Sequence, residues 1–524
     1  MKRFLVILIM AFLIVTISFV GCKTTATTET TAAATTAAET TVAETTAAAT
    51  AAEETEVTEE KKFGLEDIPE IKNKTAINTI VETGATFDKI VPYVQKFTEK
   101  TGVQVNVERV ASPVVYSKEN VELVAGTGVY DVAYVSNGWT NEWYKYLTTM
   151  TELAQQYDPG GVEALNNDMK WHSSVVYGTE NAKGFYHVPF YTYHMGMFVR
   201  QDVFDDPTEQ ADFKAKYGYD LKAATNFKEL RDQAEFFTRK KGDLLKGKPL
   251  ENDLYGVSMM AGAYQINDEF SCYLWGKGQD YATVKKDASG KITEYVITKA
   301  DQAAQLQAMQ EYVELLKFAS PGCLTANFDF VVADQGEGRA IIQPTMFSNC
   351  FAWTASILKE SVVPKDPDAK LGIYPTLGNK PFSGAWGFAV TKATKNPEAA
   401  YWFLRYLGSY ECQEVVMKEG GQLTTRMDVL ADPVWKNAEN MYPFGILVDY
   451  LLSNWQDQSF IDFITNVYYS SSEAEGKVYE MQMNVLAKGS SGEMTPEQCI
   501  NEVISQTVEL TTKFDKIAPI SVEN

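Results

Sequence analysis

The residue that points most directly to chemistry is Trp139, which ends the stretch YDVAYVSNGW (Tyr130–Trp139). The stretch begins as a buried strand should, with no charge after Asp131. Three turn-forming residues, SNG, then precede the tryptophan. A large aromatic ring at the tip of a loop costs free energy unless something covers it. The pattern therefore predicts a binding site in which Trp139 contacts a ligand.

Signals for catalysis are weaker. The sequence has three histidines (His172, His187 and His194) and lacks the HExxH, GxSxG and GxxxxGK[ST] motifs. No cysteines have CxxC spacing, which leaves zinc-ribbon and thioredoxin chemistry unsupported. Acidic residues are plentiful, so a two-carboxylate glycoside hydrolase stays open, as does a surface adhesin. We expect no catalytic residue, no cofactor and no metal site.

The elements that must position Trp139 follow an alternating order. Periodicity predicts strand, helix, strand, short helix and strand at Ala76–Val81, Phe87–Lys100, Val103–Glu108, Ser117–Gly128 and Tyr130–Ser136. A β-α-β-α-β order implies a largely parallel sheet with right-handed crossovers. Ligands bind beyond the carboxyl ends of such strands, which is where Trp139 lies. We therefore expect Trp139 to line a cleft.

The remainder of the chain carries further helix signals. Asn226 is a predicted N-cap with Glu229 three residues later, and Gln302–Phe318 has an amphipathic pattern. Asn396-Pro397 combines a cap with a first-turn proline, and Gly420-Gly421 ends that helical stretch. The whole is an α/β protein.

Size and charge narrow the class of protein. A chain of 524 residues suggests two to four domains. The formal net charge is −22, and a protein this acidic repels phosphate backbones. We therefore expect no nucleic-acid partner.

The N-terminus predicts export. Lys2 and Arg3 precede an apolar run from Phe4 to Val20, followed by Gly21-Cys22. FVGC resembles the lipobox of bacterial lipoproteins, which implies removal of residues 1–21 and lipidation of Cys22. An uncleaved membrane anchor is the alternative, although seventeen residues are marginal for a bilayer. Either way the protein lies outside the cytoplasm, extracellular or periplasmic, and tethered to the cell membrane.

A tether follows the anchor. Residues 24–58 contain only Thr, Ala, Glu and Val, a composition that cannot bury enough surface to fold. We expect residues 22–73 to form a disordered tether. Five cysteines remain beyond it, and we expect most of them to be small buried hydrophobic residues.

Several segments in order resemble the extracellular solute-binding proteins of ABC importers, the family that includes maltose-binding protein. They are KFTEKTGVQVNVE, AGTGVYDVAYVSNGW, GFYHVPFYTYHMGMFVRQDVF, GEGRAIIQPTMF, LGIYPTLGNKPFSGAWGFAVTKATKNPEAAYWFLRYL and GGQLTTRMDVLADP. The resemblance implies a two-lobed periplasmic-binding-protein fold, with a ligand cleft between lobes joined by crossing hinge strands. It implies an N-lobe at 74–190 and 382–425, and a C-lobe at 191–381 and 426–524.

The same resemblance implies a function. The protein would capture a sugar, oligosaccharide or polyol and deliver it to the transmembrane permease of an ABC transporter, as a monomer and not as an enzyme. A flat aromatic ring matches the C–H face of a sugar, and polar groups match its hydroxyls. By position, the ligand-binding residues would be Asn137, Trp139, Tyr191, Tyr193, Phe347, Trp386 and Arg426.

Overall fold

The computed structural model describes residues 62–83, 85–162, 164, 184–418 and 422–524. The predicted signal sequence, Cys22, the tether up to residue 61, His172 and Gly420-Gly421 lie outside these residues. The described strands are β1 (Ile77–Glu82), β2 (Val105–Val110), β3 (Val132–Ser136), β4 (Leu147–Thr148), β5 (His187–Arg200), β6 (Leu244–Leu245), β7 (Lys248–Pro249), β8 (Tyr255–Val257), β9 (Thr283–Lys286), β10 (Ile292–Ile297), β11 (Ala340–Phe347), β12 (Leu371–Tyr374), β13 (Ser383–Thr391) and β14 (Ile520–Val522).

Helices cover these strands. In chain order they are α1 (Ala85–Thr101), α2 (Ser112–Ala125), α3 (Thr140–Trp143), α4 (Met150–Tyr157), α5 (Gln201–Phe204), α6 (Pro207–Tyr217), α7 (Phe227–Phe237), α8 (Ile266–Trp275), α9 (Lys299–Leu315), α10 (Phe328–Gly336), α11 (Phe351–Ser361), α12 (Pro397–Leu407), α13 (Tyr410–Lys418), α14 (Met427–Leu430), α15 (Ile446–Trp455), α16 (Gln458–Ile464), α17 (Tyr468–Ser471), α18 (Glu475–Ser490) and α19 (Pro496–Phe514).

One long strand, β5, belongs to two sheet regions. Its residues His187–His194 pair antiparallel with β13, and its residues Met195–Arg200 pair with β11 and β12. All fourteen residues of β5 are buried. The strand order is β2-β1-β3-β13-β5-β11-β8. We call the part from β2 to β13 the N-lobe sheet and the part from β11 to β8 the C-lobe sheet.

The N-lobe sheet confirms the alternating order expected from the sequence. β1 runs parallel to β2, with Ile77 opposite Val105, and parallel to β3. α1 and α2 connect these strands. The carboxyl ends of β1 and β3 therefore lie at the same edge of the sheet, as the prediction required.

Two predicted helix boundaries differ in outcome. The amide of Ala399 donates a hydrogen bond to the Asn396 side chain, which confirms the cap of α12. The prediction that Ser117 begins a helix is wrong, because α2 starts at Ser112. Pro113 explains the difference, since proline fits the first turn of a helix, where its missing N–H is not needed.

The end of the predicted tether is a correction. Ile68 and Ile71 are buried in the N-lobe core, and the Phe63 ring stacks on Trp402 at 6.0 Å between centroids. The Asn396 amide also donates to the carbonyls of Asn73 and Thr75. Residues 62–73 therefore belong to the folded part, because their apolar side chains pack into the core.

The cysteine prediction is confirmed for the described part of the chain. All five cysteines beyond Cys22 are buried and unpaired with one another: Cys272, Cys323, Cys350, Cys412 and Cys499. Within the same described part, every helix is too short or too polar to cross a membrane.

The packing of residues 62–73 before β1 leads to a testable prediction about stability. Ile71→Ala should lower the free energy of unfolding by about 2–5 kcal/mol, because it empties a fully buried site. Val121→Ala is the control: Val121 is 65% exposed on α2, and its loss should change stability by less than about 0.5 kcal/mol. Denaturant melts measure both. Equal, small losses for the two variants would show that the segment does not contribute to the core.

Candidate functional site

Strand register brings distant predicted residues to one place. On β13, Trp386 lies opposite Ser136 of β3 on one side and opposite Tyr191 of β5 on the other. Ser136 ends β3, and the short 3-10 helix Asn137–Trp139 follows it directly. The register therefore places Trp386 between the Trp139 loop and the crossing strand.

The aromatic rings at this point form a continuous wall. The rings of Trp139 and Trp386 meet edge to face, with centroids 4.9 Å apart, and Trp386 stacks on Tyr134 at 4.8 Å. Trp139 also contacts Tyr116 and Trp143 at 5.1 and 5.0 Å. Trp139 and Trp386 are both only partly buried. Each tryptophan is thus held by neighbouring rings and keeps part of its surface accessible.

Hydrogen bonds fix the polar side of the wall. The hydroxyl of Tyr191 donates to Glu82 Oε1 at 2.9 Å, and the hydroxyl of Tyr134 lies 3.1 Å from the same oxygen. Burial, and then the charge of Glu82, raise the pKa values of Tyr134 and Tyr191 well above the usual value for tyrosine. Both phenols therefore stay protonated.

A second aromatic group lies where β5 passes to the C-lobe sheet. The ring of Tyr193 is 5.0 Å from that of Phe347 and 6.3 Å from that of Phe382. Gly384 lies opposite Tyr193, and a Cβ there would stand 2.4 Å from the Tyr193 hydroxyl oxygen. The glycine thus allows the tyrosine to lie across its strand partner. Tyr193 interacts electrostatically with Tyr191, which relates the two aromatic groups.

Two predicted site residues, Asn137 and Arg426, remain to be placed. Asn137 begins the 3-10 helix before Trp139, and its side chain is outside the described atoms. The Arg426 guanidinium donates to both carboxylate oxygens of Asp428 and to the carbonyl of Gly408. Arg426 is buried, and Asp428 and Gly408 hold its guanidinium. Its role as a ligand-binding residue stays a prediction.

A C-terminal segment missed by sequence reasoning closes over the N-lobe loop. The Asn141 amide donates to the carbonyl of Tyr469, and the Tyr144 hydroxyl donates to Glu473. Lys477 Nζ donates to the Tyr116 hydroxyl, which in turn donates to Glu142 at 2.6 Å. Side chains from α2 and α3 thus bond to residues of α17, α18 and the link between them. The two lobes touch through this segment.

Glu475, the first residue of α18, lies directly against Gly138 of the N-lobe loop. A Cβ at Gly138 would stand 2.8 Å from both carboxylate oxygens of Glu475. A side chain at position 138 would therefore have to displace the Glu475 carboxylate. Burial, and then the negative charges of Glu142 and Asp268, raise the pKa of Glu475 to about 8.

A further buried carboxylate belongs to the same region. Asp268 lies in the first turn of α8, and its Oδ1 accepts a hydrogen bond from Tyr479 of α18 at 2.6 Å. Burial raises the pKa of Asp268 to about 7. Tyr479 interacts electrostatically with Tyr193 and Tyr264. The hinge tyrosine Tyr193 and the acidic residues therefore lie in one neighbourhood.

One of the missed residues had a sequence signal. Glu82 is the last residue of β1, and side chains at the carboxyl ends of parallel strands line ligand sites. Glu475 and Asp268 had none, because their proximity to Gly138 and Tyr193 depends on how the C-terminal helices pack against the N-lobe.

Other features of the described residues do not belong to this site. A cavity of about 1100 Å³ lies on the C-lobe beside Gln201, Asp220 and Asn379, and none of the predicted site residues line it. His187 and His194 are buried on β5, and burial lowers their pKa values to about 4 and about 3, so both are neutral. No group of three or more His, Cys, Asp or Glu side chains among the described residues is placed to hold a metal ion.

The arrangement is suited to binding. It combines accessible tryptophan faces with carboxylates that accept hydrogen bonds and with phenols that donate them. Such a combination can hold a ligand that has both C–H surface and hydroxyl or amino groups. It lies between two lobes joined by a shared strand, where closure would exclude water.

Comparisons with known proteins agree with this geometry. The sequence profile of the family described as bacterial extracellular solute-binding protein matches residues 78–414. A probable amino-acid ABC transporter periplasmic-binding protein, y4oP of Sinorhizobium fredii (strain NBRC 101917 / NGR234), is 23% identical over 374 residues, which are 70% of this chain and 76% of that protein.

Solved structures share the fold. Maltose-bound MalE3 of T. maritima superposes with a TM-score of 0.60 at 19% identity, over 84% of this chain and 100% of that one. An ABC transporter solute-binding protein from Agrobacterium radiobacter K84, in complex with ribitol, gives 0.62 at 16% identity, over 84% and 100% of the two chains.

Fold and site together define a two-lobed binding protein. The chain belongs to the bacterial extracellular solute-binding proteins. The expected α/β fold with two lobes is confirmed. The family and these relatives are solute-binding proteins rather than enzymes.

The raised pKa of the buried Glu475 predicts how the stability of the protein depends on pH. Because its pKa is raised in the folded state, its contribution to stability is present below about pH 4.5 and is lost as the pH rises to about 8. Each pH unit in that window should cost up to about 1.4 kcal/mol. Glu475→Gln should remove this loss, so the variant should gain stability over the wild type between pH 5 and pH 8.5.

Denaturant melts at both pH values measure the difference. Glu480→Gln is the matched control, since Glu480 is exposed on the same helix. It should leave the pH dependence unchanged. If the stability difference between the wild type and Glu475→Gln is the same at both pH values, the result would contradict the burial of this carboxyl group.

Proposed function

We propose that this protein captures a carbohydrate, namely a sugar, an oligosaccharide or a polyol, and delivers it to the transmembrane permease of an ABC transporter. The observation that carries the proposal is the wall formed by Trp139 and Trp386 beside the hydrogen-bonded carboxylate of Glu82. It acts by binding and release, without catalysis and as a monomer.

The chemistry of this wall matches a sugar. One face of a pyranose ring consists of C–H groups that pack against a flat aromatic ring, and its edge carries hydroxyls that need partners. Trp139 and Trp386 offer the ring surfaces. Glu82 accepts hydrogen bonds, and the protonated hydroxyls of Tyr134 and Tyr191 hold its carboxylate in place. Tyr193 and Phe347 extend the apolar surface toward the C-lobe.

Relatives support the same class of ligand. Structures with this fold are described with bound maltose, ribitol, α-D-tagatose and D-mannitol. These ligands are a disaccharide, a monosaccharide and two polyols. The curated relative in Sinorhizobium fredii is described as an amino-acid binding protein, which makes amino acids the natural alternative class to include in a screen.

Delivery requires two states of the lobes. The shared strand β5 and the strand β13 connect them, and the contacts of Glu475 and Lys477 with the N-lobe join them on the other side. Opening at this contact would expose the aromatic wall, and closing would cover a ligand held there. Hinge closure of this kind is a common way to bind a ligand between domains. The permease would then recognise the closed form.

The membrane anchor is part of the proposal and rests on sequence. FVGC at residues 19–22 resembles a lipobox, and the Thr/Ala/Glu tract that follows would let the folded part stand away from the membrane. We propose that Cys22 carries the lipid and that residues 1–21 are removed.

A ligand screen tests the function. Thermal shift and calorimetry on the mature chain should detect a sugar or polyol that binds unchanged, and a ligand at 100 times its Kd should add about 2.7 kcal/mol to stability. Released product would instead indicate a hydrolase. Binding of amino acids but no carbohydrate would contradict the proposed ligand class.

Substitution of the aromatic wall then locates the site. Trp386→Ala should weaken ligand binding by about 30- to 1000-fold, because an aromatic anchor is lost from a partly exposed surface. Trp402→Ala is the contrasting control: Trp402 is buried in α12, so its loss should lower stability by about 3–5 kcal/mol and leave affinity unchanged. Calorimetry and denaturant melts on both variants separate the outcomes. Unaltered affinity in Trp386→Ala would show that the ligand binds elsewhere.

The anchor has its own test. Mass spectrometry of the membrane-bound protein should find a lipid-modified Cys22 as the first residue, and Cys22→Ala should release the protein from the membrane. An intact Met1 on the membrane-bound protein would show an uncleaved anchor instead.

A further inference from the structure

Three acidic residues from different elements interact electrostatically where the lobes meet. They are Glu142 of α3, Asp268 of α8 and Glu475 of α18. Asp268 and Glu475 are 3% and 7% exposed, so both are almost completely removed from water. Glu475 experiences the negative charges of both other residues. Burying carboxylates together is unfavourable unless protons or a cation compensate them.

Glu475 also has an unused hydrogen-bonding atom. Its Oε2 is buried and has no hydrogen-bond partner among the described residues. Both of its carboxylate oxygens lie against Gly138, inside the loop that carries Trp139. A buried acceptor without a partner costs about 1–3 kcal/mol, and more when it is charged. This carboxylate therefore lies against the loop that carries Trp139, without a protein donor for Oε2.

The protein supplies little compensating positive charge. Lys477 is the one cation in the described contacts of this cluster, and it lies 3.8 Å from Glu142 Oε1 while it donates to the Tyr116 hydroxyl. Glu480 also acts electrostatically on Tyr116, but it is acidic and supplies no compensating positive charge. Asp268 receives its hydrogen bond from a neutral phenol, that of Tyr479. The positive charge at Lys477 therefore serves Glu142, so Asp268 and Glu475 depend on protons or on a bound cation for compensation.

The surrounding rings favour a cation too. Trp139 contacts both Tyr116 and Trp386, and Tyr479 lies between Asp268 and the hinge residue Tyr193. The face of an aromatic ring attracts a positive charge, most strongly in tryptophan. Among the described residues, no group of three or more His, Cys, Asp or Glu side chains is placed to hold a metal ion, so an organic cation fits this region better.

We propose that the ligand carries a positively charged nitrogen, as in an amino sugar or an amino polyol, and that Glu475 and Asp268 recognise it. This inference rests on the proposed function. An ammonium group has three N–H donors, so it can donate to the free oxygen of Glu475, and its positive charge also attracts the negative charge of Asp268. A charge-assisted hydrogen bond of this kind is about twice as strong as a neutral one. A neutral ligand would leave the two groups dependent on protons for compensation.

Matched ligands test the inference. Calorimetry at pH 7.5 compares three forms of one sugar: glucose, glucosamine and N-acetylglucosamine. A second set compares sorbitol with its 1-amino analogue. A third set compares cellobiose with the fully deacetylated and the fully acetylated glucosamine disaccharides. In each set the amine should bind at least tenfold more tightly than the hydroxyl or acetylated form, because acetylation removes the charge and keeps the nitrogen.

Variants assign the effect to the carboxylates. Glu475→Gln and Asp268→Asn should each reduce the preference for the amine by tenfold or more, while the affinity for the neutral forms changes little. Glu480→Gln keeps the same substitution on the exposed face of α18 and should retain the preference. Thermal melts confirm that each variant is folded, and an amine preference that survives in both Glu475→Gln and Asp268→Asn overturns the assignment.

The outcomes separate this inference from the proposed function. Tight binding of neutral sugars or polyols with no preference for amines overturns the inference and leaves the proposed function standing. Absence of binding by every carbohydrate, neutral and aminated, overturns the proposed function and this inference together.

Discussion

The structure depends on one strand that pairs with both lobes. Residues His187–His194 of β5 complete the N-lobe sheet through β13, and Met195–Arg200 begin the C-lobe sheet through β11 and β12. Its fourteen residues are buried throughout, so the strand cannot leave either sheet without exposing apolar surface and unpaired backbone groups. Any movement between the lobes must therefore occur as bending near this change of partner.

The binding wall follows from the same strand. Tyr191 lies before the change of pairing partner and Tyr193 next to it, so one strand contributes to both aromatic groups. Their neighbours differ accordingly: Tyr191 is bonded to Glu82 of the N-lobe, whereas Tyr193 contacts Phe347 of the C-lobe sheet. A change in the angle between the lobes would alter the spacing of these two groups. Under the proposed function, binding and hinge bending would be coupled through residues two positions apart.

The contact between the lobes combines ordinary hydrogen bonds with one buried carboxylate, that of Glu475. Hydrogen bonds such as those from Tyr144 to Glu473 and from Asn141 to the Tyr469 carbonyl join the lobes. Water can take the place of either partner when the lobes separate. Glu475 is different, because closure buries its carboxylate against Gly138 without a partner for one oxygen. Closure without a ligand therefore carries an electrostatic cost at this position. A cost of this kind favours the open state until something compensates the charge.

The sequence by itself determined the local elements and part of the site. The alternation of β1, α1, β2, α2 and β3, the Asn396 cap and the position of Trp139 after a strand all follow from periodicity and turn residues, because these report on one element at a time. Phe63 and Ile71 show the limit of composition, since a few apolar residues that follow the Thr/Ala/Glu-rich tract were enough to join the core. Only the tertiary structure decided which elements meet. The alignment of Trp386 with Tyr191 depends on strand register, and the approach of Glu475 to Gly138 depends on how the last helices pack across the hinge. Residues this far apart in the chain leave no periodic signal, because their contact is set by topology rather than by local burial.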